Sequence, residues 1–199
     1  MKTFIVSGSH RKEAESLKTA KFIQKTLSQT VPERESYLFS LSENPLSLWD
    51  EEQGGPNPEQ WAEASRHLQE SDSLVVVCPE WNGMVTSGLK NFLHFCSADL
   101  VGHKAGYIVT VSASDNGAYP VAELRMNGAK NSRLCWIPEH LIVRKVGSVF
   151  NEEEAAGDTD AYLRQRLQYG LKVLDSYALA LTGIRKSGII DHESFPNGM

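Results

Sequence analysis

The chain has 199 residues, of which 41% are hydrophobic, and its formal net charge is −5. This length suits one domain with a sizeable core, and the interspersed acidic and basic residues exclude a basic face for nucleic acid. Its apolar runs fall far short of the roughly 20 residues that a membrane span needs, so we expect no membrane association. Three widely spaced cysteines and no recognisable secretory leader favour a cytoplasmic protein.

The first part of the chain predicts two strands and two helices. Short apolar or alternating runs indicate strands over Thr3–Val6 and Ser36–Leu41. Apolar residues at helical spacing indicate helices over Ser16–Leu27 and Glu59–Glu70. The polar connection over Ser42–Pro58 is longer than most loops of compact domains, which suggests a functional or partner-binding role.

The remaining chain continues the same alternation. Further strands are predicted over Leu74–Cys78, Tyr107–Val111 and Leu141–Val146. Further helices are predicted from Ser87 onward, over Val121–Cys135 with an interruption at Asn127-Gly128, and over Thr159–Leu181. The side of the last helix that should pack on the core carries Tyr162, Leu163, Leu167, Leu171, Leu174 and Ala178.

Five apolar strands alternating with helices predict an α/β fold, because parallel strands need crossover connections that cover both faces of the sheet. We therefore expect a three-layer sandwich with a five-stranded parallel sheet and helices on both faces. Residues 1–183 should form this single domain, and residues 184–199, which carry few core signals, should form a C-terminal surface tail.

Three polar loops follow predicted strands, and the carboxyl ends of parallel strands form the usual ligand site of such sheets. These loops cover Ser7–Ser16, Pro79–Ser87 and Ser112–Tyr119, and we expect them to converge. The histidines and cysteines show no metal-ligand spacing, and no G-x-S-x-G motif surrounds the serines, so neither a metal site nor a hydrolase triad is predicted.

The first loop suits an anion such as a terminal phosphate. It offers the Ser9 and Ser16 hydroxyls, the Arg11 guanidinium and the first amides of a helix. The alternative is that Ser9 or Ser16 merely caps the helix. Glu13 and Glu15 would repel a phosphate unless they point to solvent.

The second loop suits a planar heteroaromatic ligand. Trp81 supplies a flat ring, Asn82 supplies amide groups, and Gly83 allows a ring to approach the main chain. The alternative is a tight turn with Trp81 packed on its own domain. The third loop adds polar or small residues that also fit an ordinary turn, namely Ser112, Ser114, Asn116 and Gly117.

Three motifs together resemble the NADPH-dependent FMN reductase family, which has a flavodoxin-like fold and includes quinone, azo-dye and chromate reductases. The motifs are G-S-x-R at Gly8–Arg11, P-E-W-N-G at Pro79–Gly83 and S-G-L-K-N at Ser87–Asn91. The resemblance covers roughly Lys2–Val149. Two departures from the family pattern are Ala14, where a hydroxyl residue is common, and the absence of a glycine-rich run in the third loop.

The resemblance implies an FMN site and a redox function. By position, it implies that Ser9, Arg11 and Ser16 hold the FMN phosphate and that Glu80, Trp81, Asn82 and Gly83 line the isoalloxazine. Pro79 would also belong to the cofactor site, and the third loop would close the site from the other side with Ser112, Ser114, Asn116 and Gly117. Hydride would pass from NAD(P)H to FMN and then to a small acceptor such as a quinone, free flavin, azo compound or metal oxyanion. The family implies a homodimer or homotetramer, and no catalytic side chain is required.

Two other functions fit the same residues. One is an electron-transfer protein of flavodoxin type, which would use the Ser42–Pro58 connection to dock a partner. The other is a flavin-free binding module, in which Glu13, Ala14 and Glu15 mark a loop that has lost the phosphate.

Overall fold

Strands and helices alternate along the chain, as the apolar pattern predicts. The computed structural model describes residues 1–50, 58–127 and 129–198. Within these residues, strands β1 to β6 are Lys2–Ser7, Glu35–Ser40, Ser73–Trp81, Met84–Val85, Ala105–Val111 and Cys135–Val143. Helices α1 to α6 in the same ranges are Glu15–Thr30, Pro58–Glu70, Ser87–Phe95, Ala98–Val101, Ala118–Met126 and Asp158–Lys186.

The sheet has the order β2-β1-β3-β5-β6, and every neighbouring pair along this path is parallel. The short strand β4 lies off the path and pairs antiparallel with the end of β3. Because the chain adds β2 on one side of β1 and β3 on the other, the strand order reverses between β1 and β3. This is the order of flavodoxin-like proteins, with the ligand crevice at the reversal, and it confirms the predicted fold.

Alternate residues of the central strands face opposite layers of the core. Ile5 packs in the cluster that α1 and α6 cover, whereas Phe4 and Val6 pack in the cluster that α2, α3 and α5 cover. All three side chains are fully buried. Burial of a large apolar side chain contributes roughly 1.5–3 kcal/mol, so both faces of the sheet must be covered.

The predicted helix over Val121–Cys135 is wrong in its second half. Helix α5 ends at Met126, and Cys135 begins strand β6. Pro138 lies in that strand. Because proline cannot donate a hydrogen bond to a neighbouring strand, its presence in the sequence argues against a strand there. The strand tolerates Pro138 because β6 is an edge strand with a register shift opposite the stretch between Gly106 and Ile108.

Helix α6 packs on the sheet through the residues predicted for it, with one exception. Leu163, Leu167, Leu171, Leu174 and Ala178 are buried. Tyr162 does not belong to this face, because its side chain is 61% exposed. The short elements β4 and α4 were not predicted.

Helix α6 continues to Lys186, three residues past the predicted domain boundary, and the division at residue 183 stays a prediction. Beyond it, His192 stacks on His103 with ring centroids 5.7 Å apart, and Arg133 donates to the carbonyl oxygen of Phe195. Residues 51–57 of the predicted polar connection, and Gly128 of the predicted helix interruption, lie outside the described residues. No helix in the described parts of the chain is long and apolar enough to cross a bilayer.

Candidate functional site

A cavity of about 190 Å³ lies at the carboxyl edge of the sheet, where the strand order reverses. It is bounded by the loop that follows β1, by the last residues of β3, and by the end of β5 with the loop that follows it, so parts of all three predicted loops converge. Half of the predicted site residues line it, namely Ser9, Arg11, Ser16, Pro79, Glu80 and Trp81. Val111, Ala113 and Val146 also line it, although the sequence did not predict them. Val111 and Ala113 flank the predicted Ser112, so their place at the end of a buried strand and directly after it was the available signal.

The two serines of the first loop are buried and keep a proton free for an anion. The Ser9 Oγ accepts the backbone N–H of Arg11 at 3.2 Å, and the Ser16 Oγ accepts the Ser7 hydroxyl at 3.3 Å. Their side chains belong to residues that are only 2% and 1% exposed. Because each oxygen is already an acceptor, each hydroxyl proton remains available to donate into the cavity.

The alternative that Ser9 or Ser16 caps α1 is wrong. The N-cap residue is Ala14, which has no side-chain hydrogen bond to the helix, and Ser16 lies inside the first turn. The N–H groups of Leu17 and Lys18 donate to the Ala14 carbonyl. The N–H groups that precede them at the start of α1 have no hydrogen-bond partners within the helix. The helix N-terminus also carries the positive end of the helix dipole. An anion in the cavity would accept hydrogen bonds from these N–H groups and interact favourably with the helix dipole.

The two acidic residues of the loop also border the cavity, so the expected conflict with a phosphate is partly real. The Glu15 carboxylate lies 2.5 Å from the Lys18 ammonium, which offsets its charge. Glu13 is exposed and has a positive φ of 51°. Water screens an exposed charge strongly, so the repulsion weakens an anion site here without abolishing it.

The second loop is a β-hairpin rather than an irregular loop. Trp81 on β3 pairs with Met84 on β4, and Asn82 and Gly83 form the two-residue turn. Both turn residues have positive φ, 51° and 74°, as a type I′ turn requires. The Asn-Gly dipeptide was the sequence signal for this hairpin. Asn82 and Gly83 do not line the cavity; they fix the direction of Trp81.

The Trp81 ring is partly buried and contacts the first loop. Its centroid lies 4.8 Å from that of His10, with the rings edge to face, and 6.0 Å from the Arg11 guanidinium carbon. Tryptophan therefore forms a wall between the two loops, and its position depends on both. A tight turn and a cavity wall, which were alternatives for this loop, are both present.

Of the predicted third loop, Ser112–Tyr119, Ala113 is the residue that lines the cavity. Ser112 is buried, and its N–H donates to the Val143 carbonyl at 2.9 Å. The Ser114 N–H donates to the Ser112 Oγ, and the Asn116 amide donates to the Ser114 Oγ, each at 3.2 Å. These three side chains and Gly117 do not line the cavity, although Ala113 between them does.

The Glu80 carboxylate joins the second loop to the third. Its Oε2 accepts the backbone N–H of Gly117 at 2.6 Å, across 37 residues of sequence. The glutamate borders the cavity, but one of its oxygens is committed to the neighbouring loop.

The fold and the site define a flavodoxin-like α/β protein whose cavity at the strand-order reversal is lined by two buried serines, an arginine and a tryptophan. The sequence profile of the NADPH-dependent FMN reductase family matches residues 1–147, and the chain belongs to that family.

Solved structures with the same fold include an oxidoreductase from Corynebacterium diphtheriae, at TM-score 0.70 and 16% identity over 90% of this chain and 97% of that one. The flavoenzyme NAD(P)H:(acceptor) oxidoreductase FerB from Paracoccus denitrificans also has TM-score 0.70 and 16% identity, over 88% of this chain and 98% of its own. An apo NADH:FMN oxidoreductase, EmoB, has TM-score 0.66 and 16% identity, over 90% and 89%. No curated protein sequence matches the chain.

Proposed function

We propose that this protein is an FMN-dependent NAD(P)H oxidoreductase that passes reducing equivalents to a small acceptor. The observation that carries the proposal is the single cavity that brings Ser9, Arg11 and Ser16 together with Trp81 at the β1/β3 reversal. Family membership supports FMN as the cofactor, and the names of FerB and EmoB support the reaction class.

The donor set of the first loop fits a phosphate monoester. Ser9 and Ser16 would each donate a hydroxyl proton, Arg11 would supply charge and N–H donors, and the start of α1 would supply amides. Trp81 and the backbone of Asn82 and Gly83 would flank the flavin ring.

The third loop would lie on the other side of the ring, with Ser112, Ser114, Asn116 and Gly117 as the proposed ring-contacting residues. Bound FMN supplies hydride acceptance and donation, and the protein holds and orients it.

The acceptor would be a quinone, free flavin, azo compound or metal oxyanion, taking the place that the oxidised nicotinamide leaves. No side chain needs to act as a general acid or base. We also propose a homodimer or homotetramer in the cytoplasm. Light scattering at working concentration would test the assembly.

Anaerobic mixing of the FMN-loaded protein with NADH and, separately, with NADPH tests the reaction. We expect the visible absorbance of oxidised flavin to bleach with at least one of them, on the order of seconds or faster, as typical turnover numbers imply. Flavin that stays oxidised with both would refute the reductase function and favour the electron-transfer alternative.

Arg11→Ala tests the phosphate site, with the adjacent exposed residue Lys12 as a matched control. A hydrogen bond to a charged group contributes about 1.5–3 kcal/mol, so loss of Arg11 should weaken FMN binding roughly 10- to 150-fold. Lys12→Ala removes the same charge one residue away, outside the cavity lining, and should change affinity less than about threefold, as expected for a screened surface charge. Equal effects of the two variants in a fluorescence titration would contradict the assignment.

Glu13, Ala14 and Glu15 at the cavity favour one alternative, a flavin-free binding module. A colourless purified protein whose melting temperature does not rise with added FMN would support it, because any ligand that binds the native state must raise stability.

A further inference from the structure

Two carboxylates connect the β3–β4 hairpin to α5 and its N-cap residue, one from each side. Glu80, on the hairpin, accepts the N–H of Gly117 at 2.6 Å, where α5 is capped. Glu123, on α5, accepts the N–H of Val85 at 2.7 Å, on the second strand of the hairpin. Each element therefore supplies one acceptor and one donor to the other.

Gly117 is hydrogen-bonded through both its N–H and its carbonyl group. The Thr110 hydroxyl donates to the Gly117 carbonyl at 2.7 Å, so both sides of the residue are held. Its φ is +111°, and a Cβ atom at this position would lie 2.6 Å from Cγ2 of Ile142. The residue is fixed by the sheet, so Glu80 binds to an anchored amide.

The Glu123 end is connected to a third element. Lys90 on α3 forms an ion pair with the Glu123 carboxylate. Burial raises the pKa of Glu123, but the hydrogen bonds from Lys90 and from the Val85 N–H outweigh it and hold the pKa below its ordinary value. The group is therefore a charged acceptor at neutral pH, which makes its hydrogen bond strong.

We propose that Glu80 and Glu123 are positioning residues: together they hold the Trp81 hairpin at a fixed separation from the 112–117 loop, so that the slot for the ring is formed before the ligand binds. Neither acts by contact with the ring. The proposal rests on the proposed function for its effect on FMN, but the connection itself is independent of any ligand. A preformed site does not pay the ordering cost of two loops on binding.

Three substitutions at Glu80 distinguish the effect of side-chain length from the effect of charge. Glu80→Gln keeps an oxygen at the same distance and removes the charge, whereas Glu80→Asp keeps the charge and withdraws the oxygen by one methylene. Glu80→Ala removes both. Glu139→Ala is the matched control, because Glu139 is a partly exposed carboxylate with one ion pair, to Arg166 at 2.6 Å, away from the hairpin.

Hydrogen exchange of the apo protein and FMN titration are the two readouts. We expect the Gly117 amide to exchange about tenfold faster in the Asp and Ala variants, with FMN affinity weaker by about tenfold or more, as loss of one charged hydrogen bond predicts. Glu80→Gln keeps the contact but replaces a charged acceptor with a neutral one, so it should lose less than the Asp and Ala variants, about fivefold or less in both readouts. The Gln and Asp variants of Glu123 should show the same contrast at the Val85 amide, which provides a second test if a Glu80 variant does not fold.

Opposite behaviour would overturn the proposal. If Glu80→Asp matches wild type while Glu80→Gln loses FMN affinity, the charge acts on the ligand, and Glu80 is not a positioning residue. If Glu80→Ala matches Glu139→Ala in exchange and affinity, the hydrogen bond positions nothing. Wild-type protein that binds no FMN would refute the proposed function, while the exchange data would still decide whether the connection exists.

Discussion

Gly170 on α6 allows the helix to approach the sheet closely, and Gly170→Ala should destabilise the protein. A Cβ atom at this position would overlap the phenol oxygen of Tyr107 and lie 2.6 Å from its Cζ. Tyr107 is 1% exposed and lies on the central strand β5, so its ring has no space into which it can move. Gly183 on the same helix is the matched control, because no atom of the described residues lies within 4 Å of the place that its Cβ would take.

Two opposing terms set the magnitude. Replacing glycine by alanine in a helix gains about 1 kcal/mol, whereas overpacking a well-packed core costs about 1–3 kcal/mol and sometimes more. Because the overlap involves a buried ring, we expect the larger cost and a net loss of about 1–2 kcal/mol. For a domain of this size that lowers Tm by roughly 2–8 °C. Gly183→Ala keeps the gain alone and should raise Tm by roughly 2–4 °C.

Urea and thermal unfolding, followed by circular dichroism on the wild type and both variants, measure these differences. The sign should differ between the two glycines although the substitution and the helix are the same. A Gly170→Ala variant as stable as Gly183→Ala would refute the packing of α6 on β5 described above.

Two further predictions concern pH. The carboxylate of Asp160 accepts the N–H groups of Phe150 and Ala156; burial raises its pKa, but Arg164 and these amides outweigh burial and lower it from 3.8. The ionised Asp160 therefore stabilises the fold above pH 3.8, and this stabilisation is lost as the pH falls below that value. The difference in free energy of unfolding between wild type and Asp160→Asn should shrink on acidification. A difference that does not change with pH would contradict this. Burial lowers the pKa of Lys104 from 10.5 to about 8, so between these values the unfolded chain binds more protons. Urea midpoints should therefore show wild type gaining stability over Lys104→Met as pH rises through that window, and no relative gain would contradict it.

The parts of the site that the sequence predicted are those in which neighbouring residues act together. Ser9, Arg11 and Ser16 share one loop and one helix start, and all three line the cavity. Trp81 lies at the end of β3, so its place at the site could be predicted from that strand. The roles of Asn82 and Gly83 were only partly predicted, because a type I′ turn serves the hairpin whether or not a ligand is present.

The role of Glu80 could not be derived from its sequence neighbours. Its partner Gly117 lies 37 residues away, and a carboxylate beside Pro79 and Trp81 looks the same in sequence whether it contacts a ligand or a backbone amide. The connection from Glu123 to Val85, across 38 residues, was invisible for the same reason.

The sequence by itself determined the order of strands and helices and the place of the three loops, because burial on two faces imposes a period on residues such as Phe4 and Ile5 that local reading detects. Tertiary structure decided the cases in which local preference was ambiguous. Cys135–Val143 forms a strand because it pairs with β5 at the edge of the sheet, where Pro138 is tolerated. The hydrogen bonds of Glu80 and Glu123 were decided in the same way, because each joins elements that only the folded sheet brings together.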